Sequence, residues 1–114
     1  MTLHEVVSCV SGKVVCGEQY LQRSVDLGFS SDLMSDVLTL LDDNLLLITG
    51  LANIQSVRTA EMSDICQVLY VRNKQPTKDM IALAKEQGIV LITTPCSMFK
   101  ASALLYQAGL KPVY

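Results

Sequence analysis

Three times between residues 45 and 109 the chain repeats one pattern: an unbroken apolar run, a short polar turn, then a stretch of helical periodicity. Leu45-Leu46-Leu47-Ile48 leads through Thr49-Gly50 into a helix-compatible segment from about Asn53 to Met62. Cys66-Gln67-Val68-Leu69-Tyr70-Val71 precedes a helix expected over Asn73 to Gln87, with Pro76 in its first turn and Gly88 at its exit. Ile89-Val90-Leu91-Ile92 runs through Thr93-Thr94-Pro95 into a helix from about Ser97 to Gln107, closed by Gly109. A strand apolar at every position is buried on both faces. Strands of that kind alternating with helices belong to a parallel sheet joined by right-handed crossovers. The fold class is therefore read as α/β: a small parallel-sheet domain of repeated βα units.

Residues 1 to 44 form a helix/strand lead-in of a different character. Thr2-Leu3-His4-Glu5 has the form of a capping box, and Leu3, Val6, Val7 and Val10 follow at helical spacing until Ser11-Gly12. Val14-Val15-Cys16 and Ser24 to Phe29 read as strands, the second alternating Val25, Leu27 and Phe29 with Asp26 and Gly28. Ser31-Asp32 offers an N-cap to a second short helix with a stripe at Leu33, Val37, Leu40 and Leu41. No Pro/Gly/Ser-rich linker divides the 114 residues, so one domain over 1–114 is expected. At this length folding buries roughly 65% of the unfolded surface, enough for a core without metal or disulfide staples.

Charge and cysteine placement exclude several classes. The net charge of -2 removes the basic footprint of a nucleic-acid binder. It conceals an asymmetry: residues 1–57 set Lys13 and Arg23 against seven acids, whereas residues 58–114 set seven bases against four. Cys9, Cys16, Cys66 and Cys96 form no C-x-x-C pair and have no histidine at zinc-ligand spacing, so no metal or cofactor is expected. Each reads as a small buried hydrophobe, with Cys96 set apart by its place near a helix start. The first residues lack the basic and apolar regions of a signal peptide, and no apolar run reaches the roughly 18 residues of a membrane span. The expected setting is the reducing cytoplasm, away from membranes.

In open parallel sheets ligands bind outside the carboxyl ends of the strands, where helix N-termini offer free N–H groups. That rule selects Thr49, Gly50 and Asn53 after one strand, Arg72, Asn73 and Lys74 after the next, and Thr93, Thr94 and Ser97 after the last. Hydroxyls, amides and two cations suit a small phosphate or carboxylate, and Arg72 with Lys74 would make the opening locally positive. The same residues are also ordinary helix caps and turn formers. Catalytic templates fit poorly: His4 is the only histidine, and no phosphate-binding glycine loop or nucleophile elbow is present. Asp42-Asp43 reads as a solvated turn, Asp32 and Asp36 as neighbours on one helix face, and Arg58 as a partner of Asp36 or Glu61.

In order and spacing, Ser31-Asp32-Leu33-Met34-Ser35-Asp36-Val37, Leu47-Ile48-Thr49-Gly50 and Ile89-Val90-Leu91-Ile92-Thr93-Thr94 with Ser97-Met98-Phe99 and Leu104-Leu105-Tyr106 resemble the DRTGG domain. Where many relatives show Asp-Arg this chain reads Leu51-Ala52-Asn53, and where they show Thr-Gly-Gly it reads Arg72-Asn73-Lys74. The resemblance implies an α/β domain, often homodimeric, found beside CBS domains in regulatory pyrophosphatases and similar to the non-catalytic N-terminal domain of the HPr kinase/phosphorylase. It implies a regulatory or dimerising module, not an enzyme, with Met34 and Met98 among residues that could cover an interface. Stand-alone versions resemble proteins accompanying iron-only hydrogenases, so a partner enzyme is a second expectation. The function expected is sensing of a small phosphorylated or nucleotide ligand at the strand ends. The alternative is a protein-protein interaction module without a ligand. A small phosphate-handling enzyme would require Arg72 or Lys74 to converge with Thr49 or Thr93.

Overall fold

The structure, a computed structural model, describes all 114 residues. Its elements are α1 (Leu3–Cys9), β1 (Lys13–Cys16), a 3-10 turn (Glu18–Tyr20), β2 (Leu27–Ser30), α2 (Met34–Val37) and β3 (Leu45–Thr49). They continue with α3 (Ile54–Met62), β4 (Gln67–Tyr70), α4 (Lys78–Gln87), β5 (Val90–Thr93), α5 (Met98–Gln107) and β6 (Lys111–Pro112). The sheet runs β1-β5-β4-β3-β2-β6. Strands β2 to β6 are parallel to their neighbours, as the βα reading requires, but β1 pairs antiparallel with β5. The sheet is thus mixed at one edge, because β1 enters from α1 and not through a crossover.

Handedness places the helices. From β2 to β5 the chain steps one way across the sheet, and right-handed crossovers put α2, α3 and α4 on one face. The step from β5 to β6 runs the opposite way to the far edge, so α5 lies on the other face with α1. Two cores result. Met34, Val37, Val57, Ala60, Met80 and Ala84 pack on one side of the sheet, and Leu3, Val6, Ala101 and Leu105 on the other. All five residues of β3 are buried, which is why its run is apolar without alternation. Each buried leucine there contributes about 1.5–3 kcal/mol.

The helix starts follow the caps. Thr2 and Glu5 form the expected capping box, Asn53 accepts from the Ser56 amide at 3.1 Å, and Ser97 from that of Lys100 at 3.1 Å. Gly88 ends α4 in the left-handed region at φ 69°, where a side chain is disfavoured.

Several expectations are corrected. The strand expected from Ser24 begins at Leu27, and Ser24 makes only an isolated bridge to Thr2. The second helix is a single turn whose N-cap, Leu33, makes no side-chain cap bond. Ser31 instead turns back on Leu33, its hydroxyl accepting from the Leu33 amide at 3.0 Å, and Asp32 faces the end of β3. Asp32 is therefore not on a helix face with Asp36. The buried stripe is Met34, Val37 and Leu40, while Leu33 and Leu41 are exposed. Met34, at 6% exposure, cannot serve an interface. The helix expected from Asn73 begins at Lys78 behind the Thr77 cap, so Pro76 lies in the preceding loop. Arg72 and Asn73 both take φ 58°, and their amides bond to Cys96 and Thr94 carbonyls, drawing the loop onto the neighbouring unit. Of the cysteines only Cys16 is buried; Cys9 and Cys96 are half-buried and Cys66 is exposed.

Candidate functional site

At the carboxyl ends of β2, β3 and β4 four residues meet. Thr49 ends β3 and Gly50 follows it, Arg72 lies two residues beyond β4, and Asp32, two residues beyond β2, reaches across to them. One Asp32 carboxylate oxygen accepts from the Thr49 hydroxyl at 3.0 Å and from the Gly50 amide at 2.6 Å. The other lies 3.7 Å from Nη1 of Arg72, the protein's one ion pair, with both side chains about half exposed (47% and 46%). The Arg72 guanidinium lies over Gly50, and a Cβ there would fall 2.7 Å from the guanidinium carbon. Glycine is required here for that close approach, since its φ is not positive.

A second set of contacts ties the β4 and β5 ends together. The Arg72 amide donates to the Cys96 carbonyl at 2.8 Å and the Asn73 amide to the Thr94 carbonyl at 2.9 Å. The buried Thr94 hydroxyl donates to the Val10 carbonyl at 2.7 Å and accepts from the Cys96 amide at 3.1 Å. Cys96 adds a longer contact from its thiol to Val10, at 3.6 Å. Behind β4, the Tyr70 hydroxyl lies 2.7 Å from the Ser56 hydroxyl and so fixes the first turn of α3. Burial pushes the Tyr70 phenol up to about 12, with the Ser56 hydrogen bond offsetting part of the rise.

Of the nine residues chosen from sequence, Thr49, Gly50 and Arg72 converge. Asn73 and Thr94 serve the loop-to-loop stitching. Asn53 and Ser97 are spent as caps on α3 and α5. Thr93 is buried, registered between Lys13 and Tyr70. Lys74 is exposed and makes no ion pair. Of the two cations expected at the opening, Arg72 is paired with Asp32 and Lys74 is left unpaired. Thr49 is fully buried, with its hydroxyl donating to Asp32 and accepting from the Leu51 amide at 3.1 Å. His4 lies in the first turn of α1, tied to Leu21 in the segment that reaches the amino ends of β4 and β5 through Arg23. It is remote from the cluster. Arg58 pairs with neither Asp36 nor Glu61. Asp32 is the residue sequence reasoning misplaced: a lone acid just past a parallel strand was the available signal.

A family model described as the DRTGG domain matches residues 5–108. No curated protein matches the sequence. Among solved structures the chain is similar to the CBS and DRTGG domains of the regulatory region of Clostridium perfringens pyrophosphatase, crystallised with the activator diadenosine tetraphosphate. The TM-score is 0.72 at 17% identity, over 96% of this chain and 47% of that one. The chain thus spans about half the length of that neighbour, and the likeness is one of fold.

Proposed function

Because the chain belongs to the DRTGG domain family, we propose that it is a non-catalytic regulatory module that homodimerises in the cytoplasm and senses a small phosphorylated or nucleotide ligand at the carboxyl ends of its strands. The observation that carries this is the half-exposed Asp32–Arg72 pair lying across Gly50. It is an arginine held where the fold presents ligands, over bare backbone, by a carboxylate that an anion can replace. Binding trades one anion for another at Arg72 and releases Asp32, which carries the change to the β2–α2 loop.

A thermal-shift panel tests it, with inorganic phosphate, acyl phosphates, adenine and guanine nucleotides, and the diadenosine tetraphosphate carried by the neighbour's regulatory region. A ligand at 100 times its dissociation constant stabilises by about 2.7 kcal/mol. Asp32→Asn removes the competitor and is expected to tighten binding, whereas Arg72→Gln abolishes it. No shift in any of the three proteins, at millimolar ligand, removes sensing.

The interaction-module reading has its own support. Leu33, Leu38 and Leu41, in and around the short α2 turn, are 58%, 47% and 94% exposed. A stoichiometric partner enzyme recovered from native cells, with no ligand response in the panel, selects it.

A further inference from the structure

Along the β2 edge of the sheet lies a groove of about 410 Å³, away from the Asp32–Arg72 cluster. It exists because β6 is two residues long. Leu27 registers with Lys111 and Gly28 with Pro112, and Pro112, lacking an N–H, stops the ladder. Phe29 and Ser30 have no strand on their outer side. Tyr114 sets its ring against Phe29, with centroids 6.1 Å apart and planes tilted by 55°. Helix α5 forms the facing wall with Phe99, Ala103 and Tyr106, spaced i, i+4 and i+7 on one side of the helix. Phe99, Tyr106 and Tyr114 are 85%, 65% and 92% exposed, a concentration of uncovered rings that marks a binding surface.

Two polar features interrupt the apolar lining. The Ser30 and Ser102 hydroxyls lie 2.7 Å apart, and since one donates to the other, one hydroxyl proton remains for an outside acceptor. Lys111 is the only charged residue lining the groove and makes no ion pair. The volume falls within the range of roughly 300–1,000 Å³ usual for small-molecule sites. A second copy of the chain fits less well, because an isologous contact of groove on groove would cover Lys111 while the lining offers no Asp or Glu side chain to meet it.

We propose that this groove binds a small planar aromatic anion, its ring against Phe99, Tyr106 and Tyr114 and its acid group at Lys111 and the Ser30–Ser102 pair. The ring edges and faces of the walls favour an aromatic guest, and the unpaired ammonium fixes its charge. The site is independent of the strand-end cluster, whose residues do not line it.

The test is an amide NMR titration of the whole chain with 2-naphthoate. Cyclohexanecarboxylate and 2-naphthalenemethanol serve as controls lacking the aromatic ring and the charge. Saturable shifts are expected at the Gly28, Ser30, Ser102 and Lys111 amides, with those of Gly50 and Arg72 unmoved. Lys111→Gln is expected to weaken 2-naphthoate by about fivefold and to leave the neutral alcohol unchanged. Ala103→Trp fills the groove and abolishes the shifts, its fold checked by its own amide spectrum. The proposal fails if no shift saturates, if cyclohexanecarboxylate binds as tightly, or if Lys111→Gln changes nothing. Concentration-dependent shifts at the same amides without ligand, together with a dimer mass by sedimentation, assign the groove to a second copy and also overturn it.

Discussion

Gly50→Ala offers a way to break the Asp32–Arg72 pair without removing either charge. The new methyl would sit 2.7 Å from the guanidinium carbon and 2.8 Å from Nη1, so the arginine must swing away. What it touches is the far end of a flexible side chain, and Gly50 is not among the positive-φ glycines, so the backbone itself accommodates alanine. Two opposed contributions follow. Loss of a half-exposed ion pair at 3.7 Å costs about 0.2–1 kcal/mol. Replacing glycine by alanine stabilises by about 0.4–1 kcal/mol through the unfolded chain. In the natural protein the two nearly cancel. In an Arg72→Ala background only the second survives, so the same substitution becomes stabilising there. Urea unfolding followed by circular dichroism measures all four proteins, and the expected coupling is about 0.2–1 kcal/mol. A cost of 2 kcal/mol or more (roughly the scale of a core clash) in both backgrounds would refute the reasoning, because it would place the clash in the backbone.

Further predictions follow from buried groups and unusual backbone. Tyr70 has a folded pKa of about 12, above its ordinary value of 10, so below pH 10 both states hold its proton and this residue adds no pH dependence. As pH rises from there to about 12 the unfolded state loses the proton first, and stability falls by up to roughly 3 kcal/mol; Tyr70→Phe removes this slope in urea titrations. Asn73→Val places a β-branched residue at φ 58°, where asparagine is tolerated, and is expected to lower the melting temperature by an amount corresponding to about 1–2 kcal/mol. An unchanged or higher value contradicts that conformation. Cys66, exposed, reacts first with a thiol reagent, while Cys16, whose thiol burial pushes up, reacts only on unfolding; the reverse order would place β1 wrongly.

How much was legible beforehand depends on the range of the interaction involved. Runs such as Leu45–Ile48 declare strands buried on both faces, and Thr2, Asn53 and Ser97 cap the helices they precede, because these are contacts within a few residues. The α4 start departs from the sequence expectation for the opposite reason. Arg72 and Asn73 are held by carbonyls of Cys96 and Thr94 more than twenty residues away, which keeps the chain out of the helix until the Thr77 cap. Arg72, likewise, reads as a free cation in the sequence because its partner, Asp32, lies on a different loop.

The sequence by itself determined that this is an α/β domain of βα units, because hydrophobic period is written into the local run of residues; the strand order, and with it the face each helix takes, came with the tertiary structure. Only the tertiary structure decided the antiparallel edge at β1, the partner of Arg72, and the groove left open where β6 ends at Pro112. Periodicity and caps are local properties that a chain carries in its order of residues. Charge compensation and cavities depend on which distant loops are brought face to face, and that is settled only when the sheet has formed.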